Sequence, residues 1–292
     1  MTAFPPTTSV TTSVTTSMVA VAGSCETDHR AIVVFDIDGV VRDVGGSYRR
    51  ALADTVEQFT GGAFRPSPEA IDALKSEGIW NNDWEASQEL IARHAEANGQ
   101  SRESIAVSYE EIVAFFQARY RGPDPDKLTG YICDEPLLLD RAYFESLTAA
   151  GIGWGFFSGA TRPSATYVTI DRIGLVDPVL VAMDDAPGKP DPTGLFDAIG
   201  QIEPRFGFTA ADGIPAIYVG DTVADMQTIV KAIDQRPGDR RWYAVGVLPP
   251  HVTGDRCEPY REGLRRAGAD VVFDRAHLLT PAAIGALIAD VS

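Results

Sequence analysis

A short apolar run that ends in two carboxylates constrains this chain more than any other feature. Residues 31–35 read Ala-Ile-Val-Val-Phe, and Asp36, Asp38 and Gly39 follow within four positions. A β-branched run of this kind is typical of a strand buried on both faces of a parallel sheet. Its carboxyl end delivers both aspartates to the edge where open α/β folds place ligands. Because close carboxylates repel each other unless a cation or a shared proton compensates, the pair predicts a metal site.

The composition narrows the class of protein. The chain has 292 residues, of which 45% are hydrophobic, and these can build a substantial core in one large or two smaller domains. Its 41 acidic and 25 basic side chains give a formal charge of −16, which disfavours binding to nucleic acid and to anionic membranes. No apolar run reaches the roughly 18 to 20 residues that a membrane span requires. The three cysteines have no metal-binding spacing and favour a reducing, cytoplasmic location.

The order of helix and strand patterns divides the chain. Residues 1–29 are rich in Thr and Ser and are predicted to form a disordered tail. Helical patterns follow the first strand at 47–60, 67–78 and 83–98, and after a capping box that begins at Ser108. Strand and helix patterns then alternate, with strands predicted at 152–157, 179–183, 216–220, 242–248 and 270–273. These patterns predict an α/β fold: a Rossmann-like, doubly wound parallel sheet (30–44 and 128–292) with an inserted α-helical domain (45–127).

Three later segments place polar groups where a predicted apolar strand ends. A hydroxyl and a backbone amide follow the second strand, a single ammonium lies in a proline-rich loop, and two carboxylates follow the fourth strand. In chain order the residues are Ser158, Gly159, Lys189, Asp221, Thr222 and Asp225. Each has an ordinary alternative as a turn residue, a helix cap or a solvated side chain. Their coincidence at the carboxyl ends of one predicted sheet favours a shared site.

In this order the segments resemble the four motifs of the haloacid dehalogenase superfamily of phosphotransferases. The motifs correspond to 36–40, 157–159, Lys189-Pro190 and 220–225. The resemblance covers roughly residues 31 to 275. The helices between the first two motifs resemble the small helical cap of that superfamily.

The resemblance implies a catalytic role for each motif. Asp36 would attack phosphorus and form an aspartyl-phosphate, while Asp38 would protonate the leaving alcohol and then deprotonate water. Lys189, Ser158 and Gly159 would bind the phosphoryl group and stabilise its charge during transfer.

The resemblance also implies a Mg²⁺ site, since this ion prefers oxygen ligands. Asp36, the backbone carbonyl of Asp38 and the Asp221 carboxylate would supply them. Asp225, with Thr222, would lie behind these ligands and orient the motif lysine or a water on the metal.

Four more residues are predicted to contact substrate, each with a structural alternative. Arg49 and Arg162 follow the first and second motifs, where an arginine meets an anionic group or remains at the surface. Asn82 and Trp84 lie between two predicted helices of the insert, where they grip a polar molecule or instead cap a helix and pack inside the insert. Lys75 is expected to be solvated rather than to serve as the amine nucleophile of phosphonate-cleaving members of the superfamily.

The sequence therefore predicts a cytoplasmic, Mg²⁺-dependent phosphatase that acts on a small phosphorylated metabolite. Asp38 favours phosphoryl transfer over dehalogenation, because superfamily members that attack carbon lack an aspartate at this position. A phosphomutase on the same scaffold and a non-catalytic protein that binds a small ligand are the alternatives. The sequence specifies neither the phosphate ester nor the oligomeric state.

Overall fold

The computed structural model describes Met1 and residues 30–124, 127–236 and 238–289. The predicted tail, apart from Met1, lies outside the described residues. Within them the chain forms a parallel sheet of six strands in the order β3-β2-β1-β4-β5-β6. The strands are β1 (Ile32–Phe35), β2 (Gly153–Phe157), β3 (Leu180–Val181), β4 (Ala216–Gly220), β5 (Trp242–Val247) and β6 (Val271–Phe273).

Helices surround this sheet and separate its first two strands. They are α1 (Tyr48–Phe59), α2 (Pro68–Lys75), α3 (Asp83–Ala97), α4 (Tyr109–Tyr120), α5 (Arg141–Ala149), α6 (Arg162–Thr166, continued by a π-helical turn Tyr167–Arg172), α7 (Thr193–Arg205), α8 (Val223–Gln235), α9 (Cys257–Arg266) and α10 (Pro281–Ala289). The predicted doubly wound α/β fold is confirmed. The strand order reverses between β1 and β4, which places the ligand-binding edge of such a sheet at the ends of these two strands.

The sheet has an apolar layer on each face. Val33 and Phe35 of β1 contribute to the layer covered by α5, α6 and α10. Ile32 and Val34 contribute to the layer covered by α7, α8 and α9. All four side chains are completely buried, as the β-branched run predicts. This burial fixes the direction in which β1 delivers the residues that follow it.

Helices α1–α4, called the helical insert below, pack around an apolar cluster of their own. Its fully or almost fully buried members include Leu52, Val56, Ile71, Leu90 and Phe116. The insert begins after β1 and the chain returns to the sheet before α5.

Local capping signals set the helix starts of the insert. The predicted capping box is confirmed at α4, where Ser108 Oγ accepts from the Glu111 amide at 3.2 Å and Glu111 accepts from the Ser108 amide at 2.9 Å. Ser67 Oγ caps α2 through the Ala70 amide at 3.2 Å.

Several elements differ from the sequence prediction. The sequence pattern predicts no helix between β5 and β6, where the structure has α9. This segment carries many charges and contains Pro259 and Gly263, and only its Leu264 is buried, so it lacks an apolar helical periodicity. The strand predicted at 179–183 is reduced to the two residues of β3. No helix within 30–124, 127–236 and 238–289 combines the length and apolar composition that crossing a bilayer requires.

Candidate active site

The two central strands bring carboxylates together at the sheet edge. The Asp36 amide, directly after β1, donates to the Val219 carbonyl of β4 at 2.8 Å, so the ends of the two strands are in register. Asp221 follows β4 and Asp225 lies in the first turn of α8. One carboxylate oxygen from each of Asp36, Asp221 and Asp225 lies within 4.8 Å of the other two. The parallel sheet therefore concentrates negative charge at this point.

Lys189 supplies a buried positive charge to this cluster. Its side chain is 1% exposed, and Nζ lies 2.8 Å from Asp36 Oδ1 and 2.7 Å from Asp225 Oδ1. Burial alone would lower the pKa of Lys189, but Asp225 and Asp36 reverse this effect and raise the pKa above its ordinary value. Lys189 is therefore an ammonium between two carboxylates.

Asp225 is committed to holding other side chains in place. Its Oδ1 accepts from Lys189 and, at 2.9 Å, from Tyr218 Oη, and its Oδ2 accepts from Thr222 Oγ1 at 2.6 Å and the Thr222 amide at 3.0 Å. Burial would raise the pKa of Asp225, but Lys189 and Thr222 hold it below its ordinary value. Since both oxygens are engaged, Asp225 orients Lys189 and is poorly placed to bind a cation as well.

Asp36 and Asp221 fit a cation far better. Asp36 Oδ1 is buried and accepts no well-directed hydrogen bond, despite the nearby ammonium. Burial raises the pKa of Asp36 to about 7 against the opposing effect of Lys189. Burial and the charges of Asp225 and Asp36 raise the pKa of Asp221 well above its ordinary value. The three clustered carboxylates share one ammonium, and the remaining negative charge and the hard oxygen donors of Asp36 and Asp221 fit a divalent cation.

The loop after β1 approaches Asp221 closely. Gly39 has a φ of +77°, and a Cβ at this position would lie 2.0 Å from Asp221 Oδ2. Only glycine meets both requirements. The Asp38 carboxylate, just before it, is held by Arg42 Nε at 2.6 Å and retains 23% exposure.

A cavity of about 60 Å³ lies over these carboxylates, between the sheet and the helical insert. Asp36, Asp38, Asp221 and Thr222 form its floor. The residues of its other walls are Val44, Tyr48, Arg49, Lys75, Asn81, Asp83, Gly159, His251 and Tyr260. A wider cleft of about 460 Å³ lies between α2 and α9, but no motif carboxylate lines it. The small cavity is therefore the candidate active site.

Comparison with known proteins assigns the chain to a family. Residues 31–232 match the model of the haloacid dehalogenase-like hydrolases. The chain belongs to this family. The match covers more than half of the chain and contains all four predicted motifs.

An individual relative of this haloacid dehalogenase-like hydrolase has limited sequence identity to it. An imidazoleglycerol-phosphate dehydratase of Phytophthora nicotianae is 29% identical over 197 residues, which are 66% of this chain and 40% of that protein. The chain thus spans well under half the length of that relative.

Solved structures of other proteins share the fold. A phosphatase from Thermococcus thioreducens matches with a TM-score of 0.54 at 22% identity, over 80% of this chain and 99% of its own. A haloacid dehalogenase-like protein of unknown function from Agrobacterium tumefaciens matches with a TM-score of 0.56 at 16% identity, over 88% of this chain and 98% of its own. Structural matches at such low sequence identity show a shared fold and do not identify the substrate.

The second motif of this family member faces a neighbouring cavity. Ser158 is 1% exposed, and its Oγ accepts from the Ala160 amide at 3.1 Å. Ser158 and Lys189 line a cavity of about 330 Å³, which shares Gly159 and Asn81 with the smaller one. The predicted phosphate-binding residues therefore lie on one continuous surface.

The four predicted substrate contacts lie in different environments. Arg49 lines the small cavity and forms an ion pair with Asp72 of α2. Arg162 lines neither cavity and pairs with Asp185, with half of its side chain exposed.

Asn82 and Trp84 have the structural roles that were the alternatives to substrate contact, a helix cap and a packed side chain. Asn82 Oδ1 caps α3 by accepting from the Trp84 amide at 3.0 Å. Asn82 also lines the cavity of about 330 Å³ that contains Ser158 and Lys189. Trp84 packs against the apolar cluster of the insert, edge-on to Tyr109.

The prediction of a solvated Lys75 is wrong. Its side chain is 15% exposed, and Nζ lies 2.7 Å from Asp83 Oδ1 and donates to the Asn81 carbonyl at 3.0 Å. Because Asp83 begins the next helix and its side chain is only 13% exposed, it draws the ammonium of Lys75 towards the small cavity. Asn81, between these two residues in sequence, contacts both cavities.

Residues from the β5–α9 connection and from α9 itself complete the site and were missed from the sequence. His251 and Tyr260 line the small cavity, and Tyr260 Oη donates to the Asp221 carbonyl at 2.9 Å. His251 Nε2 lies 3.2 Å from Asp72 Oδ1, and Arg256 Nη1 lies 3.1 Å from Asp72 Oδ2. The sequence feature that could have indicated His251 is its position shortly after the end of β5. These contacts hold the helical insert against the sheet domain.

Proposed function

We propose that this hydrolase is a Mg²⁺-dependent phosphatase that acts on a small phosphorylated metabolite through a phosphoryl intermediate on Asp36. The observation that carries the proposal is the buried ammonium of Lys189 between Asp36 and Asp225, beside Asp221. In this arrangement Asp36 would be the nucleophile, and the fixed positive charge beside it would compensate the charge of a transferring phosphoryl group.

The proposed reaction has two steps. An Asp36 oxygen bonds to phosphorus while the bond from phosphorus to the ester oxygen breaks, and Asp38 gives its proton to that oxygen. Asp38 then takes a proton from water, the water oxygen bonds to phosphorus, and the bond to Asp36 breaks to release phosphate. Lys189 stabilises the equatorial charge in both steps, and Asp225 keeps the ammonium in place.

Asp36, Asp221 and the Asp38 backbone carbonyl would hold Mg²⁺. When bound, the ion supplies positive charge that offsets the repulsion between the carboxylates and the phosphoryl oxygens. Thr222 and Asp225 would fix the geometry of the surrounding groups through their mutual hydrogen bonds.

The helical insert, with the domain limits 45–127, would act as a cap. It covers the carboxylates and leaves a cavity of only about 60 Å³, and this closure would exclude bulk water during transfer. Arg49 and Lys75 come from the insert, and Ser158 and Gly159 from the sheet domain. We assign these four residues to substrate binding.

We expect the purified protein to release inorganic phosphate from members of a panel of metabolite phosphates with Mg²⁺ and to lose this activity with excess EDTA. Phosphate should accumulate in a one-to-one ratio with substrate loss, because water accepts the phosphoryl group. An isomeric sugar phosphate without free phosphate would instead identify a phosphomutase. Bound Mg²⁺ without turnover of any ester would identify a non-catalytic binding protein.

A further inference from the structure

A buried arginine that the proposed reaction does not use lies beside Asp38. Arg42 is completely buried. Its Nε lies 2.6 Å from Asp38 Oδ1, Nη2 lies at the same distance from that oxygen, and Nη1 donates to Glu135 Oε2 at 2.9 Å. A buried guanidinium is costly unless charged partners compensate it, and Asp38 and Glu135 supply two carboxylates to Arg42.

Glu135, the second carboxylate that contacts Arg42, joins the two connections between the sheet domain and the helical insert. It lies in the segment that returns from the insert. Its Oε1 accepts at 2.5 Å from Oγ of Ser47, the residue immediately before α1. The Asp43 amide of the outgoing connection donates to the Pro136 carbonyl of the returning one at 2.8 Å. Arg42 therefore lies where the chain leaves the sheet and comes back.

The contact geometry divides the two oxygens of Asp38. Both nearby guanidinium nitrogens approach Oδ1, and the Asp38 side chain keeps 23% exposure and lines the cavity above Asp36 and Asp221. Oδ1 is thereby anchored, and Oδ2 is the oxygen available to a substrate. The planar fork of an arginine reaches Asp38 and Glu135 together, whereas a lysine ammonium is a single point charge on a shorter group.

Resting on the proposed phosphatase function, we infer that Arg42 is a positioning residue for proton transfer by Asp38. It fixes the Asp38 carboxylate relative to the ester oxygen, and Glu135 and Ser47 couple that position to the two connections of the insert. Loss of Arg42 would therefore release the Asp38 carboxylate from both connections and from its position beside the ester oxygen.

Arg42→Lys tests the inference through the dependence of the rate on the leaving group. Phenyl phosphate and p-nitrophenyl phosphate have the same ring, but phenolate is the more basic leaving group and depends more on proton donation. We expect kcat/KM for phenyl phosphate to fall about 10- to 100-fold and that for p-nitrophenyl phosphate to fall less than about threefold. This constant reports the step in which the leaving group departs.

Arg172→Met is the matched control. Arg172 Nη1 donates to the Glu135 carbonyl at 2.6 Å, so its loss also disturbs the returning connection, but it makes no contact with Asp38. We expect this variant to keep the wild-type ratio of kcat/KM for the two esters.

A double variant distinguishes the loss of positioning from a loss of folding. Arg42→Met combined with Glu135→Gln removes the guanidinium without leaving Glu135 as an unpaired buried charge, and the same selective loss on phenyl phosphate is expected. Equal losses on both esters in a folded variant would overturn the inference and leave the phosphatase proposal intact. A wild-type protein that hydrolyses neither these esters nor any metabolite phosphate would overturn both.

Discussion

Asp36→Asn is expected to reduce phosphate release by roughly 10⁴-fold or more, because an amide oxygen is a poor nucleophile towards phosphorus and carries no charge for a metal ion. The measurement is the release of phosphate from p-nitrophenyl phosphate in the presence of Mg²⁺. Asp43→Asn is the matched control, since Asp43 lies in the same loop and its side chain only accepts from the Gly45 amide at 2.9 Å. An amide oxygen can keep that hydrogen bond, so the control should retain wild-type activity.

In the absence of metal, Asp36→Asn should be at least as stable as the wild type. The pKa of Asp36 is raised from 3.8 to about 7, so the folded state loses stability through this group as the pH rises across that interval. At pH 8 the carboxylate is ionised and destabilising, and the neutral amide removes that effect. We expect the thermal midpoint of Asp36→Asn at pH 8 to equal or exceed that of the wild type. A markedly lower midpoint would mean that unfolding accounts for the loss of activity.

Lys189→Met is expected to lower both activity and stability. Removing the ammonium leaves Asp36 and Asp225 buried without their shared cation, which should cost about 3–5 kcal/mol of unfolding free energy. Loss of the charge that faces the transferring phosphoryl group should reduce kcat by roughly 10²- to 10³-fold. Urea unfolding and phosphate release measure the two effects.

Lys231→Met is the control for Lys189→Met, because it removes the same group from an exposed position on α8. It should change the unfolding free energy by less than about 0.5 kcal/mol and leave kcat unchanged. Wild-type kcat in a folded Lys189→Met protein would contradict the role proposed for the ammonium. Wild-type stability would contradict the compensation of the two carboxylates.

The floor of the candidate site was predictable because local signals place it. Apolar runs end at Asp36 and Asp221, and parallel strands must carry both residues to one edge of the sheet. The hydrogen bonds of Asn82 at the start of α3 were likewise anticipated as one of two alternatives, since asparagine commonly caps helices.

The walls of the site depend on contacts between distant parts of the chain. Arg42 is an ordinary charged loop residue in the sequence, and its burial becomes apparent only with Glu135, 93 positions away. Asp72 and His251, separated by 179 positions, meet only because the helical insert folds over the β5–α9 connection. Such pairings have no local periodicity, which is why the motif aspartates could be predicted and these residues could not.

Rapid acid quenching of the protein during turnover, followed by peptide mass spectrometry, tests the proposed reaction most directly. We expect a phosphoryl adduct on the peptide that contains Asp36, formed with Mg²⁺ and substrate and absent from Asp36→Asn. Steady turnover with the adduct on another residue, or turnover that persists in Asp36→Asn, would contradict the proposed reaction.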